Sequence, residues 1–158
     1  MNLGITGHRP DKLWGYRNEC PELYIVLWGA IEQIVLEKKP DYLITGMAQG
    51  ADQLFAEIAI QLSIPFIALV PFKGQETMWP PAAQASYREL LEKAHEVVTV
   101  SPGGYAAWKM QRRNKEIVWQ SSELIAVWDG SSGGTAHCVA FAEQQKVPII
   151  RINPKELL

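Results

Sequence analysis

The first ten residues, MNLGITGHRP (1–10), end a short apolar run, residues 1–6, with glycine, imidazole and guanidinium groups at Gly7, His8 and Arg9. Gly7 permits backbone angles that a side chain would forbid, and Arg9 can bind a phosphate through its forked guanidinium. The alternative is structural: Arg9 would pair with a carboxylate, and His8 would satisfy a buried polar group. We interpret the stretch as a β-strand followed by one wall of a ligand site.

The same order of strand, turn and helix returns along the rest of the chain. The run PFIALV (65–70) is apolar without interruption, as expected of a strand whose two faces are both covered. Strands that alternate with helices indicate right-handed crossovers and a mainly parallel sheet with helices on both faces, an α/β three-layer sandwich. Further strands are predicted at 41–45, 96–100, 124–128 and 147–152, and helices at 23–36, 52–63, 83–94, 107–120 and 135–145.

Length and composition favour one domain over residues 1–158, because 47% of the residues are hydrophobic and can form a core. The net charge of −2 argues against a protein that coats nucleic acid, which needs a basic face. Two widely separated cysteines, no signal peptide and no long apolar span predict a reduced cytoplasmic setting without membrane association. His8, His95 and His137 lack the spacing of metal ligands, so we expect no metal. We expect no cofactor either.

The loop after the second predicted strand reads TGMAQGAD (45–52) and leads into a helix. Ligands of such sheets bind beyond the carboxyl ends of the strands, and the free amides at a helix start attract anions. Asp52 has two interpretations that can coexist, because an aspartate here can cap the helix or accept hydrogen bonds from ribose hydroxyls. The candidate ligand contacts in this loop are Gly46, Gln49, Gly50, Ala51 and Asp52.

The richest glycine loop follows the fifth predicted strand and reads DGSSGGT (129–135). Glycines and hydroxyl side chains just before a helix are typical of a phosphate cradle. The alternative is a flexible surface turn whose helix is capped by Thr135. We favour the cradle because the loop lies between an apolar strand and an amphipathic helix. The candidate contacts are Asp129, Gly130, Gly133, Gly134 and Thr135.

Several common nucleotide and hydrolase signatures are absent from the sequence. No Gly-x-Gly-x-x-Gly follows the first strand, and no phosphate loop ends in Gly-Lys-Ser/Thr, which argues against an NAD dehydrogenase or a P-loop ATPase. No Gly-x-Ser-x-Gly elbow occurs either, so an α/β-hydrolase triad is not supported.

Four motifs in order resemble a known family: TGHRP after the first strand, TGMAQGAD after the second, Arg113-Asn114 within a helix, and LIAVWDGSSGGT (124–135). Together they resemble the SLOG superfamily of Rossmann-like nucleotide-binding proteins, and its YpsA-like branch in particular. The resemblance implies a Rossmann-like fold and a nucleotide or nucleotide-derived ligand held at the three loops. It also adds Arg113 and Asn114 to the site, although their basic neighbours alone would suggest a solvated helix face.

Three functions are weighed against one another. The first is a module that binds or senses a nucleotide-derived small molecule, with no catalytic residue assigned. The second is a LOG-type phosphoribohydrolase, which the resemblance allows. In LOG enzymes a glutamate closely follows the glycine motif, whereas here Ala136-His137-Cys138 follows it. The third is a DprA-like binder of single-stranded nucleic acid, which the charge balance disfavours. The sequence does not decide whether the protein forms a homo-oligomer.

The loop after the third predicted strand, residues 71–81, is long enough to fold over a ligand and carries two aromatic residues, Phe72 and Trp79. Either ring can stack on a base. The alternative, which we favour, is that Trp79 packs the loop onto the domain.

Overall fold

The computed structural model describes residues 1–158, and its elements alternate strictly between strand and helix. Short 3-10 turns follow β1 at Pro10–Lys12 and close the chain at Pro154–Glu156. The elements are β1 (Asn2–Gly7), α1 (Pro21–Lys38), β2 (Tyr42–Thr45), α2 (Ala51–Leu62), β3 (Phe66–Val70), α3 (Pro81–Glu92), β4 (Glu96–Thr99), α4 (Ala107–Gln120), β5 (Glu123–Val127), α5 (Gly134–Gln144) and β6 (Ile149–Ile152).

The six strands form one sheet in the order β4-β3-β2-β1-β5-β6, and every neighbouring pair is parallel. This arrangement confirms the α/β, Rossmann-like prediction. The chain runs outward from β1 to β4 and then returns to the opposite side of β1 to form β5. The strand order therefore reverses between β1 and β5, and the loops after these two strands diverge there and leave a crevice.

The reversal of direction also divides the helices between the two faces of the sheet. With right-handed crossovers, α1, α2 and α3 pack on one face, and their core includes Leu27, Phe55 and Tyr87. The return connection places α4 and α5 on the other face, where Ile117 and Cys138 are buried against the sheet. The structure thus has the three layers that the sequence predicts.

Helix α1 extends beyond its predicted bounds of 23–36 at both ends. Pro21 begins it because a proline fits the first helical position, where no amide hydrogen bond is needed. Lys39 ends it in the left-handed conformation, with a φ of 49°. The predicted range marks only the stripe of buried residues and misses these end signals. None of the helices combines the length and the apolar composition needed to cross a lipid bilayer.

Candidate functional site

A cavity of about 300 Å³ opens at the carboxyl ends of β1 and β5, where the strand order reverses. We call it the switch-point cavity. Its walls come from the loops after β1, β2 and β5 and from one face of α4. The lining residues are Thr6, Gly7, His8, Arg9, Asp11, Lys12, Ala48, Asp52, Met110, Arg113, Asn114, Ser131, Ser132, Gly133, Gly134 and Thr135.

The glycine loop after β5 presents a row of free backbone amides. Helix α5 begins at Gly134, and its first internal hydrogen bond runs from the amide of His137 to the carbonyl of Gly133. The amides of residues 132–136 donate no hydrogen bond within the protein, and no side chain caps the helix. Gly133 adopts a φ of 138°, which favours glycine. This segment has the geometry of an anion cradle, and Thr135 does not cap it.

Asp129 lies beneath the cradle rather than in the cavity. Its Oδ1 accepts hydrogen bonds from the amide of Ser131 (2.9 Å) and from the Ser131 hydroxyl (2.5 Å), and its Oδ2 lies 3.3 Å from Nζ of Lys155. These bonds, those of Ser131 first, hold the pKa of Asp129 well below its usual range. The sequence predicts a ligand contact at Asp129, whereas in the structure its carboxylate is hydrogen-bonded within the loop and does not line the cavity.

His8 is buried and bridges the β1 loop to the β5 loop. Its Nε2 lies 2.9 Å from Oδ1 of Asp129 and 3.0 Å from the backbone nitrogen of the same residue. The ring can donate to the carboxylate or accept from the amide, according to its tautomer. His8 lines the switch-point cavity while filling the structural role that the sequence left open.

The Arg9 side chain makes no hydrogen bond or ion pair with the rest of the protein, and only the Arg9 carbonyl accepts a bond, from the amide of Lys12. The Arg9 side chain is exposed, lines the switch-point cavity and lies near enough to Asp52 and Arg113 to influence their charge. The predicted alternative, a pairing between Arg9 and a carboxylate, is therefore not observed. The guanidinium is available to a ligand.

Arg113 is 4% exposed, although α4 carries exposed basic residues on either side of it. Its Nη1 donates to the carbonyl of Gly46 (2.5 Å), and its Nε donates to Oδ1 of Asn114 (3.0 Å). Nη2 makes no hydrogen bond in the protein. Burial lowers the pKa of Arg113, which nevertheless stays charged at neutral pH. The structure thus places the motif arginine in the cavity, whereas Arg112 lies outside, over the ring of Trp119.

Asp52 places a buried carboxylate in the same cavity. Its Oδ2 accepts the amide of Ala48 at 3.2 Å, and its Oδ1 accepts no hydrogen bond. Burial raises the pKa of Asp52, although the Arg113 charge, the Ala48 amide and the Arg9 charge oppose this effect. The predicted helix cap is wrong: Gly50 occupies the N-cap position of α2, and Asp52 instead closes the turn that precedes the helix.

Apart from Ala48 and Asp52, the β2 loop supports the β1 loop and does not line the cavity. The amide of Ala51 donates to the carbonyl of His8 (3.2 Å), so the first amide of α2 is already bonded within the protein. Gly50 has a φ of 100°, and a Cβ there would lie 2.4 Å from the same carbonyl oxygen. The predicted contacts that lie outside the cavity lining are Gly46, Gln49, Gly50, Ala51, Asp129 and Gly130.

Several lining residues were not predicted. Ser131 and Ser132 lie inside the glycine loop, and Thr6 and Ala48 lie inside the other two motifs, so their positions were a usable signal. Lys12 donates from Nζ to the Ser131 hydroxyl (2.7 Å) and adds a second cation from the β1 loop. The side-chain chemistry of Met110 does not mark it as a ligand contact. Only its position one helical turn before Arg113 could have indicated that it lines the cavity. No group of His, Cys, Asp and Glu side chains is arranged to hold a metal ion.

Comparison with known proteins adds a family and two structural likenesses. The sequence profile of the YspA SLOG family matches residues 3–157. The uncharacterized SPbeta prophage-derived protein YoqJ of Bacillus subtilis is 30% identical over 134 residues, which cover 75% of this chain and 78% of that protein.

Two solved structures share the fold at low sequence identity. DNA processing protein A of Helicobacter pylori, described for its single-stranded DNA binding, has a TM-score of 0.70 at 15% identity, covering 97% of this chain and 65% of its own. The molybdenum cofactor binding protein of Rippkaea orientalis has a TM-score of 0.61 at 19% identity, covering 99% of this chain and 80% of its own. This chain therefore spans just under two thirds of the Helicobacter protein.

Proposed function

The chain belongs to the YspA SLOG family, and we propose that its switch-point cavity binds the phosphate of a nucleotide or nucleotide-derived small molecule. The protein acts as a binding module for that ligand. The phosphate lies against the glycine loop, and the charges of Arg9 and Arg113 balance its own.

One observation carries this proposal: the unpaired amides at the start of α5, residues 132–136, border a cavity that also holds the unpaired guanidinium of Arg9 and the free Nη2 of Arg113. Backbone amides at a helix start and arginine side chains are the donors that proteins use for phosphate. In the absence of a ligand these donors have no partner in the protein, and an anion would supply one.

A small molecule fits better than a polymer. The cavity of about 300 Å³ has the size of a small-molecule site. The chain carries a net charge of −2, whereas a protein that follows a nucleic-acid backbone needs a basic surface. The structural neighbours include one protein described as binding the molybdenum cofactor and one described as binding single-stranded DNA. The cavity and the charge favour the first kind of ligand.

The proposal is tested by thermal shift with AMP, ADP, NAD and ADP-ribose, followed by calorimetry of any compound that raises the melting temperature. We expect Arg9→Ala to weaken binding roughly tenfold or more, because it removes a charged donor. The melting temperature of the variant should stay unchanged, because the Arg9 side chain makes no hydrogen bond or ion pair in the protein. Arg17→Ala removes an exposed arginine outside the cavity and is the matched control. If none of the four compounds binds, the proposal is wrong.

Asp52 supports a second candidate, hydrolysis of the bond between base and ribose in a nucleoside 5′-monophosphate. Such a reaction needs a carboxylate near the sugar to stabilise positive charge or to activate water. Asp52 lines the cavity, has a free Oδ1 and a raised pKa. The test is chromatography of AMP, GMP, CMP and UMP after incubation with the protein. Release of free base by the native protein but not by Asp52→Asn would support hydrolysis. If all four nucleotides stay intact, the protein only binds its ligand.

A further inference from the structure

A second cavity of about 440 Å³ adjoins the switch-point cavity. Arg9 and Met110 line both, so the two cavities meet at these residues. The second cavity lies under the long loop after β3 and beside the loop before α4. We call it the aromatic chamber, because its lining includes Phe72, Trp79 and Tyr105.

The aromatic rings of the chamber are held in different ways. Phe72 is buried and meets Tyr105 edge to face, with ring centroids 5.8 Å apart. Trp79 packs edge to face on Tyr87 at 5.2 Å, as the packing interpretation of the sequence expects, and also lines the chamber. Tyr105 is 75% exposed, so most of its ring lacks a partner. An exposed tyrosine ring beside a cavity offers a surface for a flat ligand group.

Lys109 holds the loop that carries Tyr105. Its Nζ donates to the carbonyls of Pro102 and Gly104, both at 2.6 Å, and the side chain is buried. Two short bonds from a buried cation fix the backbone next to Tyr105. The exposed ring thus stands on an ordered loop rather than at the end of a free one.

Gln75 supplies a polar group to the otherwise largely apolar chamber. Its Nε2 donates to the carbonyl of Gly46 (3.2 Å) and to the hydroxyl of Tyr87 (3.0 Å). The Gly46 carbonyl determines the orientation of the amide, because the reverse orientation would bring two carbonyl oxygens together. Oε1 consequently accepts no bond in the protein and remains accessible at a residue that lines the chamber.

We propose, on the basis of the proposed function, that the aromatic chamber binds a planar heterocycle that carries an N–H donor and is joined to the phosphate in the switch-point cavity. The ring lies against Tyr105 and Trp79, and its donor bonds to Oε1 of Gln75. The ligand is therefore a nucleoside phosphate or a compound of the same plan. It crosses from one cavity to the other beside Arg9 and Met110.

The two cavities are also linked through one carbonyl. The oxygen of Gly46 accepts from Arg113 on the phosphate side and from Gln75 on the ring side. A single backbone position thus orients a donor in one cavity and an acceptor in the other. The protein therefore fixes the distance between Arg113, which faces the phosphate, and Gln75, which faces the ring. Ligands of matching length are favoured.

The experiment compares AMP, GMP, CMP and UMP with ribose 5-phosphate by calorimetry on the whole chain. Ribose 5-phosphate has the phosphate and sugar but lacks the ring. We expect at least one nucleotide to bind roughly tenfold or more tightly than ribose 5-phosphate, because stacking on aromatic side chains has that strength. Tyr105→Ala should remove most of this preference and leave ribose 5-phosphate binding unchanged. Tyr16→Ala, at another exposed tyrosine, is the matched control.

Gln75→Met is the second variant, with the affinity for ribose 5-phosphate as its internal reference for an intact fold. This variant should bind nucleotides more weakly and ribose 5-phosphate unchanged. If it keeps the full preference for nucleotides over ribose 5-phosphate, Gln75 is not part of the ring site. Nucleotides that bind no better than ribose 5-phosphate would overturn the aromatic chamber and leave the phosphate site standing. If neither the nucleotides nor ribose 5-phosphate bind, the phosphate site itself is wrong.

Discussion

Individual carboxylates in this protein have opposite roles according to their surroundings. Asp129 is surrounded by donors, which lower its pKa, and Asp52 is buried with few donors, which raises its pKa. The charged carboxylate of Asp129 stabilises the loop after β5. Ionised Asp52 places an unfavourable negative charge inside a cavity that is proposed to bind an anion. Both differences can be measured through their dependence on pH.

For Asp129 we expect Asn to lower the melting temperature at neutral pH by about 2–4 °C, the effect of roughly 1 kcal/mol in a chain of this size. The folded pKa lies below the unfolded value. The stabilisation is therefore complete above the unfolded pKa and is lost as the pH falls through the folded one. The deficit of Asp129→Asn should shrink below about pH 4. Glu92→Gln, at an exposed acid without partners, is the control. A deficit that stays constant down to low pH would contradict the assignment.

For Asp52 the informative probe is inorganic sulfate, whose charge does not change over the range studied. Protonating the carboxylate removes a negative charge from the cavity, and a bound anion raises the Asp52 pKa further. Sulfate should therefore bind more tightly as the pH falls, and the change should begin above the usual pKa of an aspartate because burial raises the pKa of Asp52. At neutral pH, Asp52→Asn should bind sulfate more tightly than the native protein does. Its sulfate affinity should also depend less on pH. Every other titratable group is common to the two proteins, so an equal dependence on pH in both would contradict the role of Asp52.

At the scale of the elements, the loops after β1 and β2 are built as one unit. The α2 start packs on the β1 loop through the Ala51 amide and through the bare Cα of Gly50. This close approach brings the two motifs together and leaves no room for a side chain at Gly50. Glycine is required there both by space and by its positive φ.

A pair of glycine-to-alanine changes tests this packing. Gly50→Ala should destabilise the protein by on the order of 1–3 kcal/mol, because the new Cβ would be strained and would clash with the His8 carbonyl. Gly29→Ala in the exposed middle of α1 meets no atom within 4 Å and should stabilise by about 0.5–1 kcal/mol. Chemical denaturation measures both. Equal effects at the two positions would show that Gly50 has no special role.

At the scale of the whole molecule, the sheet order creates one crevice, and the overall charge bears on what can enter it. The switch point between β1 and β5 brings together residues from both ends of the chain, as the hydrogen bond between His8 and Asp129 illustrates. The same fold occurs in a DNA processing protein, so fold alone does not separate a small-molecule binder from a nucleic-acid binder.

The net charge of −2 predicts weak nucleic-acid binding. We expect an oligothymidylate of roughly 30 nucleotides to show no saturable binding at about 150 mM salt, and any binding at lower salt to fall steeply as salt is added. Fluorescence anisotropy against a salt series provides the measurement. Tight binding that persists at the higher salt would favour the DprA-like alternative over the small-molecule proposal.

Much of the fold could be predicted from local patterns. Apolar runs such as residues 65–70, breaks at proline and glycine, and helical spacing within residues 23–36 determine strands and helices through forces between near neighbours. Glycine loops before helices are equally local signals, since the free amides and the turn belong to the same few residues. Alternation alone also favours a parallel sheet, because right-handed crossovers connect parallel strands.

The tertiary structure alone decided which motif residues reach the cavity. Asp129 and Gly50 lie in the predicted loops, yet one stabilises its own loop and the other packs under its neighbour. Arg113 is surrounded in sequence by exposed basic residues, yet it is buried against two carbonyl oxygens, that of Gly46 just after β2 and that of Leu69 in β3. These outcomes depend on groups that are distant along the chain and become neighbours only in the sheet order β4-β3-β2-β1-β5-β6, which local patterns do not specify.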